Sequence, residues 1–485
     1  MKLYFTDVFD VSEETLAEYG AFNVSLVTDL PLFIDPFLLF NSDKPEYRAL
    51  HDDIIKYLRF LKDQSVLGHV SSDRLNAWYY FPEVKQNCLG FSVSGHSGRG
   101  LGKSFAGALN ENMHNIFTSF GDEKVTKGSH LEKLCLVADG VGRDMISDFT
   151  TNLIKDFLCR YTETFAKQFL KKECRKLISV SKVRFNYVTK SWMSDVYELP
   201  YLDGDYVLLT PRDILTRDDT WINKQDMLRN FEAIPEAIND SALRGQINAY
   251  LCSVLPKEPI KKDYDKAFGK VLLRYPQLID YFIKCKEDTG DDSVAVSRNK
   301  VDESDMVYVR QFGTLVDLLD ANSLFYKISG TTKDETRQRI EFFKDIVENK
   351  GGYRIFYSKG QPISNETDVH ILFRMTWFAT PSDISREVND GRGPVDFKVS
   401  RGAHDKTLVE FKLASNSHLR KNLEKQLELY QKASDAQTGF KVIIYFSLKE
   451  LVKVEKTLLE LGLNHCGHIF LVDARNDNKP SGSKA

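Results

Sequence analysis

Three residues near the C-terminal end of the chain have the types and spacing for phosphodiester chemistry. Asp396 sits in an apolar, β-type run (Val395, Phe397, Val399), and Glu410 and Lys412 sit in a second run, Thr407 to Leu413. Alternate residues of a strand share a face, so Glu410 and Lys412 point the same way. A polar turn, residues 400–406, separates the two runs, and a hairpin there brings Asp396 beside the other two. Carboxylates are the hard oxygen donors that Mg²⁺ or Mn²⁺ prefers, and a neighbouring lysine offers positive charge where a phosphoryl oxygen gains negative charge. The competing reading is a hairpin with surface acids and a salt-bridging lysine. Against it, a Glu and a Lys threaded among Leu408, Val409, Phe411 and Leu413 are costly to bury without partners.

The flanking sequence supplies elements to position these residues. Apolar spacing predicts helices over Glu335–Glu348 and Asn365–Phe378, the second capped by Ser364, with Glu366 in its first turn. Strands follow over Asp383–Val388, Val395–Ser400 and Thr407–Leu413. A helix over Ser417–Ala433, a very apolar strand Phe440–Ser447, a helix Lys449–Leu461 and a strand His468–Asp473 complete the unit. On the helix after the third strand, Gln426 and Tyr430 are spaced i, i+4 and share a face.

Asp396, then Glu410-Phe411-Lys412, then Gln426-x-x-x-Tyr430, in this order of elements, resembles the PD-(D/E)XK nuclease superfamily and within it the RecB-like branch. The resemblance covers roughly residues 335–475. Its proline stands at Pro394, one place further from Asp396 than the family name implies. The resemblance implies a restriction-endonuclease-like αβββαβ core with a mixed sheet and a metal-dependent nuclease acting on DNA, an endonuclease by preference. Asp396, Glu410 and the Phe411 carbonyl would hold Mg²⁺ (or Mn²⁺), and Lys412 would orient or help deprotonate the attacking water. Glu366 is the first choice for an upstream acid, with Glu341 and Glu387 left open. Gln426 would position a loop or substrate, and Tyr430 would support its helix or contact DNA. His418, Arg420, Lys421 and Lys425, at the start of that helix, are candidates for backbone phosphates, with a solvated helix face as the plainer reading. His404, in the turn, reads as a surface residue. A large partner region beside such a nuclease is by analogy the layout of bacterial anti-phage or restriction-type defence, with a second copy or a defence-system protein as partner. The alternative from another class is a non-catalytic protein that keeps the fold to bind nucleic acid or a partner.

The rest of the chain bounds this reading. With 485 residues, two or three domains are expected. A net charge of −3 leaves nucleic-acid binding to a local basic face and not to the bulk field. The 7 cysteines are scattered, with no Cys-x-x-Cys pair, which favours free thiols in a reducing compartment. The N-terminus has no basic segment followed by an apolar one, and the most apolar run, Leu30–Phe40, is too short to span a bilayer, so a cytoplasmic protein is expected.

In the front region, strands are expected over 3–9 and 22–28, a buried strand over Leu30–Phe40, and a helix over Pro45–Gln64. A glycine-rich run, Ser94–Ala106, sits between a β-like segment and a helical one. However, Gly102-Lys103-Ser104 lacks the glycine that a Walker A loop needs five places earlier, where Ser97 stands. The run from Gly95 to Lys103 therefore reads as a surface loop or packing turn in preference to a phosphate cradle. Leu134–Asp139 reads as a strand, with Ser147 capping the next helix and Asp139, Asp144 and Asp148 crowding the loop between. The string His465-Cys466-Gly467-His468 is too small for structural zinc. The acid-rich stretch 286–305 is the expected linker. The organisation anticipated is a mixed α/β region over 1–305, divisible into two subdomains, a connecting segment over 306–333, the nuclease-like unit over 334–475, and a disordered tail over 476–485.

Overall fold

The computed structural model describes residues 3–67, 70–90, 106, 109–110, 120, 123–137, 143–217, 219–230, 234, 238, 240–256, 261–322, 330–358, 360–363, 366–377, 380, 382–389, 394–401, 405–424, 438–464 and 466–479. It is a mixed α/β structure whose largest sheet is the one anticipated from the C-terminal pattern. That unit contains α1 (Thr332–Asn349), α2 (Glu366–Met375), β1 (Asp383–Asn389), β2 (Pro394–Arg401), β3 (Asp405–Leu413), β4 (Thr438–Tyr445), α3 (Leu448–Glu460) and β5 (Ile469–Asp473). The five strands lie in chain order across the sheet. β1, β2 and β3 run antiparallel, whereas β3, β4 and β5 run parallel. A parallel pair needs a crossover. The first joins Leu413 to Thr438, its described part helical over 419–424, and α3 makes the second.

Side-chain alternation divides the sheet into two faces. Val409, Phe411 and Leu413 of β3, Phe397 and Val399 of β2 and Val442 and Ile444 of β4 are buried in the main core. Phe373 of α2 lies 4.5 Å from Phe411, ring to ring, and 5.7 Å from Phe397, so α2 packs on that face. Ile443 and Tyr445 belong instead to a second cluster with Leu419, Leu423 of the crossover and Val454, Leu458 of α3. The opening of α1 is defined by a reciprocal capping box between Thr331 and Asp334. One turn on, Glu335 is fully buried. It accepts from Arg339 Nε at 3.0 Å, Thr380 Oγ1 at 2.6 Å, Ser382 Oγ at 2.6 Å and Arg401 Nη2 at 2.5 Å. This carboxylate ties α1 to the end of β2 and to the segment that enters β1.

The front region departs from several sequence expectations. Residues 3–9 do not form a strand: Phe5–Phe9 is a helix, and residues 22–28 contribute one isolated bridge, at Ser25. Leu30–Phe40 is a three-residue strand, Leu32–Ile34, followed by a helix, Pro36–Phe40. Asp35 breaks it by accepting the Phe37 N–H at 3.0 Å, with proline pre-set for the first helical turn. Residues 133–137 are helical where a strand was expected, because an apolar run alone does not separate a buried helix from a buried strand. Ser147 is inside the helix Arg143–Leu153, not at its cap, and its hydroxyl accepts the Ile34 N–H at 2.9 Å.

The long helix (Pro45–Val66) agrees with the pattern, and Arg175–Asn186 pairs with Ser191–Leu202 in an antiparallel hairpin. Residues 286–305 are not a linker. They continue one helix and form another, Gly290–Ser304, with Glu287, Ser293 and Ser297 buried. A π-helical turn, Asp305–Gln311, then runs straight into the helix Phe312–Asn322. One buried apolar cluster extends from Leu3 to Ala474, so the core is shared across the expected boundary at 305/306. Among the described residues no helix is long and apolar enough to cross a membrane.

Candidate active site

The site grows out of a flaw in the β2–β3 ladder. Pairing between the two strands runs from Asp405↔Arg401 to Val409↔Phe397 and stops there. Past that point the Phe411 N–H donates to a side chain, Asp396 Oδ2, at 2.6 Å. The carboxylate thus occupies the place of a backbone acceptor, and the strands are free to part.

Glu410 and Lys412 share the face opposite the Val409, Phe411 and Leu413 side chains, as alternation requires. Lys412 is the centre. Its Nζ lies 3.1 Å from Glu366 Oε2, 3.7 Å from Asp396 Oδ2 and 3.7 Å from Glu410 Oε1, and its side chain is 11 % exposed. Burial pushes this ammonium towards losing its proton, but Asp396, Glu366 and Glu410 outweigh that and raise its pKa above the ordinary lysine value. For Asp396, burial also favours the neutral form. His370, Lys412 and the Phe411 N–H together hold it below the usual carboxylate range.

Of the two upstream acids whose side chains are described, Glu366 is the one brought to Lys412. It stands at the start of α2 and also accepts from Leu413 N at 3.3 Å and Asn416 Nδ2 at 2.7 Å. Glu341 is on the outer side of α1, paired with Arg337 at 2.9 Å. Glu387 is on β1, and its side chain lies outside the described set. Gln426, Tyr430, Lys425, His404, His465 and Asp139 also lie outside the described residues, as do Gly95, Gly102 and Lys103 of the glycine-rich run. Lys421 and His418 are exposed. Arg420 is exposed too, and its guanidinium is engaged by Glu424 at 3.0 Å and by Glu460.

Two site residues were not anticipated. His370, one turn after Glu366 on α2, places Nε2 3.2 Å from Asp396 Oδ2, near enough for an ion pair but out of line for a hydrogen bond. The i, i+4 spacing from Glu366 was the available signal. Lys441 of β4 is opposite Glu410 in the parallel register and fully buried, its Nζ 3.2 Å from Glu410 Oε2 and 3.1 Å from Asn422 O. Burial lowers its pKa despite the nearby Glu410 carboxylate. No sequence signal pointed to it, because parallel register across a crossover leaves no local mark.

As to a metal, the donors fit in kind: Asp396, Glu410 and Glu366 offer hard oxygens around a spot already filled by a cation, the Lys412 ammonium. They do not form a ready cage, since among the described residues no three His, Cys, Asp or Glu side chains are grouped to hold an ion.

Comparison with known proteins adds domain limits without an activity. No curated protein and no solved structure matches the chain. Residues 308–448, which include Glu366, His370, Asp396, Glu410, Lys412 and Lys441, match a domain of unknown function, DUF8371. Residues 10–223 of the front region match a second, DUF8370.

Proposed function

We propose that the C-terminal unit is a metal-dependent nuclease of PD-(D/E)XK type that hydrolyses phosphodiester bonds of DNA, working as an endonuclease. The observation that carries this reading is the convergence of Glu366, Asp396 and Glu410 on Lys412 Nζ, within 3.1–3.7 Å, at a break in the sheet. Asp396, Glu410 and the Phe411 carbonyl would hold Mg²⁺ or Mn²⁺, which when bound would supply an activated water and offset charge on the scissile phosphate.

The chain's own groups have separable tasks. Lys412, kept protonated by its three acids, orients the attacking water and faces the charge that develops on the phosphoryl oxygens. Its raised pKa makes it a poor base, so of the two tasks expected for this lysine, orientation is the one retained. Glu366 holds the ammonium in place, His370 keeps the Asp396 carboxylate ionised, and Lys441 fixes Glu410 from the neighbouring strand. Each reactive group is thus pinned by a partner on another element, which is what pre-organisation demands.

The three acids already face three basic groups, Lys412, Lys441 and His370. That balance favours a second reading, a non-catalytic module in which the same network holds the fold together. Incubating the purified protein with plasmid and linear DNA in Mg²⁺, Mn²⁺ or EDTA, beside Lys412→Ala, separates the two. The nuclease reading expects ion-dependent cleavage that the variant loses. Equal cleavage by wild type and variant refutes the site, and no cleavage of any substrate by wild type favours the module.

A further inference from the structure

Helix α2 carries two of the site residues, Glu366 and His370, on one side. Between them in sequence stands Asp368, which at i+2 does not share that side. Its carboxylate is turned to the front region. Asp368 Oδ1 accepts from Arg217 Nη2 at 2.5 Å and from the Tyr308 hydroxyl at 2.6 Å, with the Asp368 side chain 9 % and the Arg217 side chain 12 % exposed. The Arg217 guanidinium also lies 5.5 Å from the centre of the Tyr308 ring.

Each partner is itself fixed from elsewhere. Arg217 ends the strand Leu215–Arg217, which pairs with Leu32–Ile34, and its carbonyl accepts from Lys300 Nζ at 3.3 Å. Tyr308 is fully buried at the middle of the π-helical turn Asp305–Gln311, and its carbonyl accepts from the Tyr4 hydroxyl. Single π turns inside helices recur at functional positions, where they re-aim a side chain at some cost in helix regularity. Here the re-aimed side chain meets α2. The bond from Arg217 to Asp368 joins residues 151 apart in sequence, one in each matched domain.

We propose that Arg217, Tyr308 and Asp368 are positioning residues that hold α2 in register with β2 and β3, so that the state of the front region governs whether Glu366 and His370 meet Lys412 and Asp396. The effect on cleavage rests on the nuclease reading above; the effect on α2 does not. A charged pair this deeply buried is strongly disrupted when one partner is removed, because the other is left as an unpaired charge. Its loss is therefore felt first by the short helix that carries Asp368.

The test is amide hydrogen exchange on the full chain, together with steady-state cleavage. Arg217→Met is expected to speed exchange in 366–375 by about tenfold, within the usual range of coupling between sites, and to leave the remote helix 448–460 unchanged. With cleavage measurable, kcat falls about 100-fold with KM for DNA little changed, as a misplaced catalytic group requires. Arg217→Lys, which keeps the charge, restores most of both. Tyr308→Phe, which removes one hydroxyl, gives a smaller change of the same pattern and serves if Arg217→Met does not fold. Unchanged exchange in 366–375, or equal acceleration in 366–375 and 448–460, overturns the proposal. If the wild type cuts no DNA, the nuclease reading fails while the exchange pattern still decides the link.

Discussion

Replacing Lys412 by alanine tests whether the three carboxylates form a cation site. At 3.1 and 3.7 Å, with an effective dielectric of about 20, each attraction is worth about 4–5 kcal/mol gross. Desolvation of the ammonium and the acids takes back much of this, and removing one partner of a buried pair typically costs about 3–5 kcal/mol net. Each acid keeps another partner: Glu366 keeps Leu413 N and Asn416, Asp396 keeps Phe411 N and His370, and Glu410 keeps Lys441. The low end is therefore expected, a loss of about 3 kcal/mol in metal-free buffer. The vacated spot then accepts a divalent cation better than wild type does. At about 100 times its dissociation constant a ligand returns about 2.7 kcal/mol, so Mg²⁺ should restore nearly all of the lost stability. Urea unfolding of both proteins, in EDTA and in a Mg²⁺ series, measures this without any need for cleavage. A variant as stable as wild type in EDTA refutes the ion-pair account. A variant that Mg²⁺ does not stabilise refutes the cation site.

Other outcomes follow from the same network and from the front region. Lys441→Met, which fits the buried stem but removes the charge, leaves Glu410 to Lys412 alone. It should lower cleavage by about tenfold or more and cost at most about 3 kcal/mol in urea unfolding, the low end for removing one partner of a buried pair, because Glu410 keeps Lys412. Arg339→Met leaves the fully buried Glu335 to Arg401, Thr380 and Ser382 and should cost about 3 kcal/mol in urea unfolding, the low end for removing one partner of a buried pair. Asp148 is held up at about 8 by burial, with Asp144, Glu83 and Asp29 adding repulsion. A carboxyl whose folded pKa lies above its unfolded one binds its proton more tightly when folded, so stability falls as pH rises from about 4 to about 8 and is flat beyond. Asp148→Asn should therefore be neutral near pH 4 and stabilising at pH 7, by at most about 4 kcal/mol, in a pH series of thermal unfolding. A stabilisation that does not depend on pH would show that the acid is not the cause.

What was legible in the sequence was what is local. The period-2 pattern of β2 and β3 placed Asp396, Glu410 and Lys412 on strands, and the sharing of one face by Glu410 and Lys412 followed from that period alone. Glu366 was placed in the first turn of its helix, but not its reach to Lys412, which depends on how α2 packs on the sheet. The front region was read less well for a reason visible at Leu30–Phe40 and at Leu134–Val137. Leu134, Leu136 and nearly all of Leu30–Phe40 are buried, and burial erases the amphipathic period that separates helix from strand. The acid-rich stretch 286–305 misled in the opposite way. Asp288, Asp291, Asp292, Arg298 and Asp302 face solvent while its small residues, Gly290, Ser293 and Ser297, pack inwards. An inward face made of small polar residues carries little hydrophobic signal.

Lys441 and Arg217 show why the rest stayed hidden. Each is a cation in an ordinary-looking strand, and each acquires its meaning from an acid far away in the chain: Lys441 through a parallel register set by a crossover, Arg217 through contact between two regions. Both are pairings that the fold must complete before the charge has a partner, and an unpaired cation at either place would oppose burial. The site and its link to the front region therefore exist only when α2, β3, β4 and the strand Leu215–Arg217 are all in place.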